Sequence, residues 1–273
     1  MESSLDSKIK LVADMILDSE RIVVFTGAGV STESGIPDFR GPGGIWTRFD
    51  PDDFTITKFL YSEETRKKQW RILVGEGFFS DIKPNKAHYA IATLEALGKL
   101  DCVITQNIDN LHQEAGNSSD RVFELHGSLK WVRCLDCNAL FPIDYAEQML
   151  KDGVEEPPCR KCDGTLKPDV VFFGEALPEH AMQAATLHSS DCDLFIVVGS
   201  SLVVQPAALM PRYAKSGRAR LVIINIGETP YDYQADVLIN ESAGDTLERI
   251  VTLVKQSMGK TREETSRVRY GSS

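Results

Sequence analysis

Residues 26–41 read TGAGVSTESGIPDFRG, and they directly follow an apolar run, Ile22-Val23-Val24-Phe25. Glycines after a buried strand let the backbone approach a pyrophosphate, whose charge favours the amide N–H groups of a helix start. A dehydrogenase fingerprint would have its third glycine at position 32, but Thr32 stands there and the next glycine is Gly35. The loop continues with an acid, an aromatic ring and a guanidinium, 38–40. The stretch therefore predicts a nucleotide-binding loop that brings side chains to the reactive end of its ligand.

The rest of the chain alternates short apolar runs with helical patterns. Continuous apolar runs are typical of parallel strands that are covered on both faces, and they occur at 102–105, 194–198, 221–224 and 236–239. Helical patterns cover 5–16, 87–100, 179–188, 206–216 and 245–255. This order predicts an α/β fold with a doubly wound, Rossmann-like parallel sheet.

Two segments interrupt the alternation. Residues 41–85 are rich in aromatic and charged side chains, and residues 131–168 hold four of the six cysteines. We expect both to form a smaller module beside the sheet. The tail from Lys260 to Ser273 is charged with few apolar residues, so we expect it to be disordered.

Composition limits the classes of function. The net charge of −10 and the pI near 5.1 argue against nucleic-acid binding as the main activity and favour a basic partner. No run approaches the length of a membrane span, and the N-terminus lacks a signal-peptide pattern, so we expect a cytoplasmic protein without membrane contact.

The cysteines fall into two CxxC pairs, Cys134 with Cys137 and Cys159 with Cys162. Two such pairs supply the four thiolates that tetrahedral zinc prefers, and no position is left for a substrate water. We expect a structural zinc ion; disulfides or unconnected free cysteines are the alternative. Cys102 and Cys192 lie in or beside predicted strands, where burial as small apolar residues is expected.

A polar cluster, Gln106-Asn107-Ile108-Asp109, directly follows the apolar run 102–105. In a doubly wound sheet, ligands bind outside the carboxyl ends of the strands, so the cluster should lie near the Gly27 loop and bind ribose hydroxyls or a carboxamide. An Asx-type helix cap is the alternative. Gly199-Ser200-Ser201 and Asn225 follow two further strands and are candidates for phosphate or ribose contacts, with ordinary turns as the alternative.

His126 follows a short apolar segment and precedes the cysteine-rich segment. Its imidazole titrates near neutral pH, so it is a candidate general base for a ribose hydroxyl, although a structural role is the alternative. His112 is a second candidate, while the remaining histidines, 88, 180 and 188, fall on predicted helices and are expected at the surface or in packing.

Taken together and in this order, these motifs resemble the sirtuins, NAD-dependent protein deacylases, over roughly residues 8–257. The likeness is to a deacetylase-type, prokaryote-like member. It implies a discontinuous NAD-binding Rossmann domain (1–41, 101–130 and 168–257), a small domain formed by a helical insertion (42–100) and a zinc module (131–167), and a flexible tail (258–273). NAD and an acetylated lysine would meet in the cleft between the two domains.

The resemblance also implies residue roles. His126 would deprotonate a ribose hydroxyl, Asn107 would be the second catalytic residue, and Phe39 would shield the anomeric carbon from water. NAD would contact Gly27, Ala28, Gly29, Thr32, Asp38, Phe39, Arg40, Gln106, Asn107, Ile108, Asp109, His126, Gly199, Ser200, Ser201, Asn225, Asp245 and Thr246. Zinc would bind Cys134, Cys137, Cys159 and Cys162, and an extended acetyl-lysine peptide would pair with Val171, Phe172, Phe173 and Gly174.

Desuccinylating members of the family carry a tyrosine and an arginine in the helical insertion. Alignment from Phe59 puts Trp70 and Leu73 at those positions, which predicts an acetyl-type preference; a shifted alignment would use Arg66 or Arg71 instead. The products would be free lysine, nicotinamide and O-acetyl-ADP-ribose. The competing functions are protein mono-ADP-ribosylation, deacylation of other acyl-lysines, a non-enzymatic nucleotide sensor or zinc-organised module, and, more distantly, a dehydrogenase.

Overall fold

The computed structural model describes residues 4–41, 43–75, 79 and 82–270, with side chains up to residue 260. Within these residues the strands are β1 (Ile22–Thr26), β2 (Leu100–Thr105), β3 (Val122–Glu124), β4 (Gly127–Cys134), β5 (Leu140–Pro142), β6 (Leu166–Val170), β7 (Leu194–Val198), β8 (Arg220–Ile224) and β9 (Val237–Ile239). The α-helices are α1 (Ser4–Asp18), α2 (Ile56–Tyr61), α3 (Glu63–Trp70), α4 (Lys86–Ala96), α5 (Leu111–Glu114), α6 (Ile143–Lys151), α7 (Glu179–Asp191), α8 (Met210–Ser216) and α9 (Ala243–Tyr270).

Six strands form one parallel sheet in the order β3-β2-β1-β7-β8-β9. This is the doubly wound Rossmann order, with its topological switch point between β1 and β7. The predicted fold class is therefore confirmed. Strands β1 and β7 are buried along their whole length, as the continuous apolar runs indicate.

Helices cover both faces of this sheet. Apolar side chains of α1, α4 and α9 pack against one face, around Val24, Val103 and Val222. Helices α7 and α8 cover the other face, around Phe25, Phe195 and Ile223. Because both faces are covered, the carboxyl edge of the strands is the part of the sheet left open to a ligand.

A second, antiparallel sheet has the order β5-β4-β6 and carries the CxxC pairs. Its core includes Val132, Phe141 and Leu166, and Trp70 at the end of α3 packs into the same cluster. The end of the helical insertion thus packs against the core of the cysteine-rich segment.

Two boundaries differ from the sequence-based ones. Helix α4 falls inside the predicted insertion 42–100, yet Ala87, Ile91 and Leu94 are buried in the core of the large sheet. Helix α9 continues to Tyr270, where a flexible tail from residue 258 was expected. Residues such as Glu, Lys and Arg in 258–270 have high helix propensity, so a charged composition does not by itself prevent a helix from continuing. Residues 271–273 of the predicted tail lie outside the described residues.

Within the described part of the chain, none of the helices combines the length and apolar character needed to cross a membrane.

Candidate active site and zinc module

Two glycine-containing loops meet at the switch point of the large sheet. The Gly29 N–H donates to the Gly199 carbonyl at 2.8 Å, and the Gly27 N–H donates to the Val198 carbonyl at 3.1 Å. A Cβ atom on Gly27 would lie 2.8 Å from the Gly199 oxygen, and one on Gly29 would lie 2.8 Å from the Gly199 Cα. Side chains are therefore excluded here, and the backbone turn 28–30 lies at the strand ends where a pyrophosphate would bind. The residues present fit a dinucleotide.

A cavity of about 230 Å³ opens beside these loops. It is lined by four groups of predicted site residues: the cofactor loop, the cluster after β2, the candidate base and the substrate segment. These are Ala28, Phe39, Arg40, Gln106, Asn107, Ile108, Asp109, His126, Val171, Phe172, Phe173 and Gly174. The lining is mostly apolar and comes from both modules.

His126 has a defined tautomer in this cavity. Its Nδ1 lies 2.8 Å from the Gln106 carbonyl oxygen, which can only accept, so Nδ1 carries the proton. The other nitrogen, Nε2, therefore has its lone pair available as a base. Burial lowers the pKa of His126, and the hydrogen bond to Gln106 partly opposes this effect. The imidazole is consequently neutral at physiological pH.

At the cavity wall, the Ser31 hydroxyl joins two loops and a helix. It donates to Asp109 Oδ2 at 2.7 Å and accepts from Asn107 Nδ2 at 3.1 Å. His88 Nδ1 accepts the Asn85 N–H at 3.2 Å, so His88 Nε2 carries the proton and faces the Ser31 oxygen at 3.4 Å. Burial lowers the pKa of His88 to about 4, which keeps this ring neutral. The network fixes the side chains of Asn107 and Asp109.

Asp109 uses both carboxylate oxygens in hydrogen bonds within the protein. Its Oδ1 accepts the N–H of Leu111, the first residue of α5, at 3.0 Å, while its Oδ2 accepts the Ser31 hydroxyl. Burial raises its pKa, opposed by these hydrogen bonds. His112, the second candidate base, is instead 1% exposed and bonds Thr26 Oγ1 at 2.9 Å, so it is a packing residue of the network.

Aromatic rings connect the cofactor loop to the substrate segment. The rings of Phe39 and Trp46 are 5.1 Å apart, and Trp46 lies 6.2 Å from Phe173. Phe54 packs edge-on against Trp46 at 5.3 Å. Phe39 is thus supported on one side by the helical insertion while remaining at the cavity wall.

The substrate segment runs between the two modules. Val171 donates its N–H to the His126 carbonyl at 2.8 Å. Phe173 donates to the Phe54 carbonyl at 2.9 Å and accepts from the Ile56 N–H at 3.0 Å. The backbone from Val171 to Phe173 is therefore held from both sides before the turn at Gly174, and peptide addition along this stretch is compatible with that geometry.

The four zinc-ligand candidates lie together, with all four Sγ atoms within 4.8 Å of one another. Cys134 and Cys162 are 3.5 Å apart at sulfur, and Cys137 and Cys159 are 3.7 Å apart. Zn–S bonds of about 2.3 Å in a tetrahedron require sulfur separations of about 3.8 Å, so the residues fit a zinc ion. Cys102 and Cys192 are buried in the large core, as expected.

Other predicted cofactor residues lie outside the cavity lining. The Thr32 hydroxyl donates to the Gly29 carbonyl, and Asp38 accepts the Gly41 N–H at 2.8 Å. Ser200 accepts the Gln106 amide at 2.7 Å, linking two strand ends. The remaining members are Ser201, which follows β7; Asn225, which follows β8 and whose amide donates to Gly227; and Asp245 and Thr246 at the start of α9, of which Asp245 pairs with Lys86 and Thr246 is buried.

Sequence reasoning did not single out Ser31, His88 or Trp46 as site residues. Ser31 stands inside the glycine loop, and this position is a usable signal for a small polar residue near a ligand. The burial of His88 and the stacking of Trp46 depend on tertiary packing, so spacing along the chain does not reveal them.

Comparisons with known proteins agree with this geometry. The model of the Sir2 family matches residues 27–206. An NAD-dependent protein deacetylase 1 of Bradyrhizobium diazoefficiens is 47% identical over 247 residues, which cover 90% of this chain and 96% of the relative.

Two solved structures are also similar. One is a Sir2–p53 peptide–NAD+ complex, with 39% identity, a TM-score of 0.82, and coverage of 89% of this chain and 97% of that chain. The other is a Sir2 variant with a deacetylated p53 peptide and 3'-O-acetyl ADP-ribose, with 37% identity, the same TM-score of 0.82 and the same coverage, 89% and 97%. The match spans most of the chain in every case, and we conclude that this chain belongs to the Sir2 family.

Proposed function

We propose that this chain is an NAD-dependent protein-lysine deacetylase that transfers the acetyl group to ADP-ribose and releases nicotinamide and free lysine. The observation that carries the proposal is His126, a partly buried neutral base with a fixed tautomer, beside the cluster after β2 and the substrate segment. The activities named for the relatives support it. NAD supplies an activated anomeric carbon with nicotinamide as leaving group.

The protein's own side chains are assigned the following roles in this proposal. His126 Nε2 takes a proton from a ribose hydroxyl, while its Nδ1–H stays bonded to Gln106. Asn107 and Asp109, fixed through Ser31, orient the nicotinamide half of the cofactor. Phe39, packed on Trp46, excludes water from the reacting carbon. Acetylated proteins are the proposed partners, in the cytoplasm and without nucleic-acid binding.

The acyl end of the cavity favours an uncharged chain. Leu73 lines the cavity and packs with Phe172 and Val170, while Trp70 is buried in the core of the zinc module. Arg66 is held by Glu156 at 2.8 Å, and Arg71 has a 61% exposed side chain near Glu155, so neither of these two arginines lines the cavity. Arg40 does line it, but Arg40 belongs to the cofactor loop and not to the part of the cavity that Leu73 lines. A succinyl carboxylate would thus lose its water without gaining a cationic partner there.

The test is mass spectrometry of matched acetyl-lysine and succinyl-lysine peptides incubated with the protein, with and without NAD. We expect NAD-dependent loss of acetyl with equimolar nicotinamide and O-acetyl-ADP-ribose, and much slower loss of succinyl. Equal turnover of the two peptides would refute the acetyl preference. Addition of ADP-ribose to protein with no loss of either acyl group would replace deacetylation with ADP-ribosyl transfer.

A further inference from the structure

Lys167 is a buried cation beside the cavity that the proposed chemistry does not use. Its side chain is 8% exposed although it carries an ammonium group. Burial lowers its pKa, opposed by the nearby Glu175 carboxylate. Charged groups are rarely buried unless they are paired and hydrogen-bonded, so the surroundings of this ammonium must offset its desolvation.

Three acceptors surround the Lys167 ammonium, which has three N–H donors. Its Nζ lies 3.2 Å from the Pro168 carbonyl, 2.5 Å from the Val170 carbonyl and 3.0 Å from Glu175 Oε2. The Phe172 ring covers it at 4.5 Å from Nζ to the ring centre. The contacts lie on both sides of the segment Val171–Gly174, before it at the end of β6 and after it at Glu175.

Glu175 completes the enclosure of that segment. The same Oε2 atom that meets Lys167 accepts the backbone N–H of Phe172 at 2.7 Å. The Glu175 N–H in turn donates to the Phe172 carbonyl at 3.0 Å. One ion pair therefore fixes the backbone of Phe172 between Val171, which is bonded to His126, and Phe173, which is bonded to Phe54.

We infer that Lys167 is a positioning residue for peptide binding: together with Glu175 it holds Val171–Gly174 in the conformation that receives the acetylated peptide. The inference rests on the proposed function. Removal of the ammonium leaves two carbonyls and a carboxylate without their partner, and the segment loses the charge that fixes its shape. None of the contacts described for Lys167 and Glu175 involves the cofactor loops at the switch point, so we expect NAD binding to be independent of this ion pair.

The test compares Lys167→Met with Lys215→Met in steady-state assays of an acetyl-lysine peptide. Lys215 is a matched control because its ammonium pairs with Asp236 Oδ2 at 3.1 Å, and that oxygen also accepts a backbone N–H, from Leu221 at 2.7 Å, far from the cavity. Loss of a charged hydrogen bond predicts a peptide KM raised about tenfold in Lys167→Met. In Lys167→Met, the KM for NAD stays unchanged. Lys215→Met changes neither the peptide KM nor the KM for NAD. Lys167→Arg, compared with Lys167→Met, restores part of the peptide affinity.

A folded Lys167→Met protein with an unchanged peptide KM, or with an equal rise in the KM for NAD, would overturn the inference. If Lys167→Met does not fold, Glu175→Gln provides the second test, because the amide oxygen still accepts the Phe172 N–H but loses the charge opposite Lys167. We expect a higher peptide KM and faster hydrogen exchange of residues 171–174 in Glu175→Gln; no change in either would equally overturn the inference. An inactive wild-type protein would instead refute the proposed function.

Discussion

The backbone N–H of Val171 donates to the carbonyl oxygen of His126 at 2.8 Å. The residue proposed as base and the segment proposed to hold the peptide are thus joined directly through the backbone. Strand β4 begins directly after His126, and β6 ends directly before Val171. The two strands pair in an antiparallel ladder. A displacement of either strand would therefore change the position of the peptide relative to the base.

His126→Ala should lower kcat about 10²- to 10⁴-fold, the usual contribution of a general base, while NAD binding measured by calorimetry persists. The bond to the Gln106 carbonyl is lost, but the glycine contacts at the switch point are untouched. His180→Ala is the matched control, since His180 is an exposed residue of α7. Wild-type turnover by His126→Ala would remove this residue from the chemistry.

The pH dependence of kcat/KM should show an acid limb below the ordinary histidine pKa of about 6.5. The base acts only when neutral, and burial lowers the pKa of His126, so activity is kept as pH falls until the lowered pKa is reached. A pH series on the acetylated peptide, with circular dichroism to exclude unfolding, measures this limb. A limb clearly above neutral pH would contradict the assigned environment.

Gly127→Ala should destabilise the protein far more than Gly153→Ala. Both glycines have positive φ, +74° and +88°, but a Cβ on Gly127 would clash with the backbone of Asp169 and Val170, whereas one on Gly153 meets nothing within 4 Å. The conformational cost alone is about 1–2 kcal/mol and is common to both. Urea denaturation gives the difference, which we assign to the clash beside His126. Equal losses would mean that β4 and β6 separate easily.

Removal of zinc by a chelator should lower Tm, shift tryptophan fluorescence to the red and abolish deacetylation. A structural zinc site contributes folding energy directly, and Trp70, 1% exposed, is buried in the same cluster as Cys134 and Cys159. Trp70→Phe serves as the control, because the fluorescence shift should shrink strongly in it. An unchanged Tm after complete zinc loss would show that the small module folds without metal.

The sequence predicted five of the six strands of the large sheet, because β1, β2, β7 and β8 are largely apolar runs whose burial on both faces leaves a clear pattern. Strand β3, which has only three residues, was not predicted. The sequence also predicted that the four cysteines lie together, because the CxxC spacing lets the two thiolates of each pair bind the same metal ion. Their chemistry is readable without the fold.

Other features depend on tertiary contacts that no local pattern contains. Ser31 reaches Asp109 from a different loop, and the Lys167 ammonium is neutralised by a carboxylate beyond an intervening turn. The start of α4 was predicted closely, but its place in the large core follows from packing against α9. Helix α9 continues beyond the last residue of its apolar face, so hydrophobic periodicity predicted the end of the helix too early.

The β4–β6 ladder has a further consequence for how this chain can be altered. Between Cys134 and Leu166, which pair at the far end of the ladder, the polypeptide leaves the two strands and returns to them. That excursion contains Cys137, Cys159 and Cys162, and it is connected to the proposed base and the proposed peptide segment through a pair of strands whose register shifts between Gly127 and Val132. The exposed turn at Asp152 and Gly153 lies outside this ladder and outside β5, so changes of length there should alter the surface of the module without moving the proposed base relative to the proposed peptide segment.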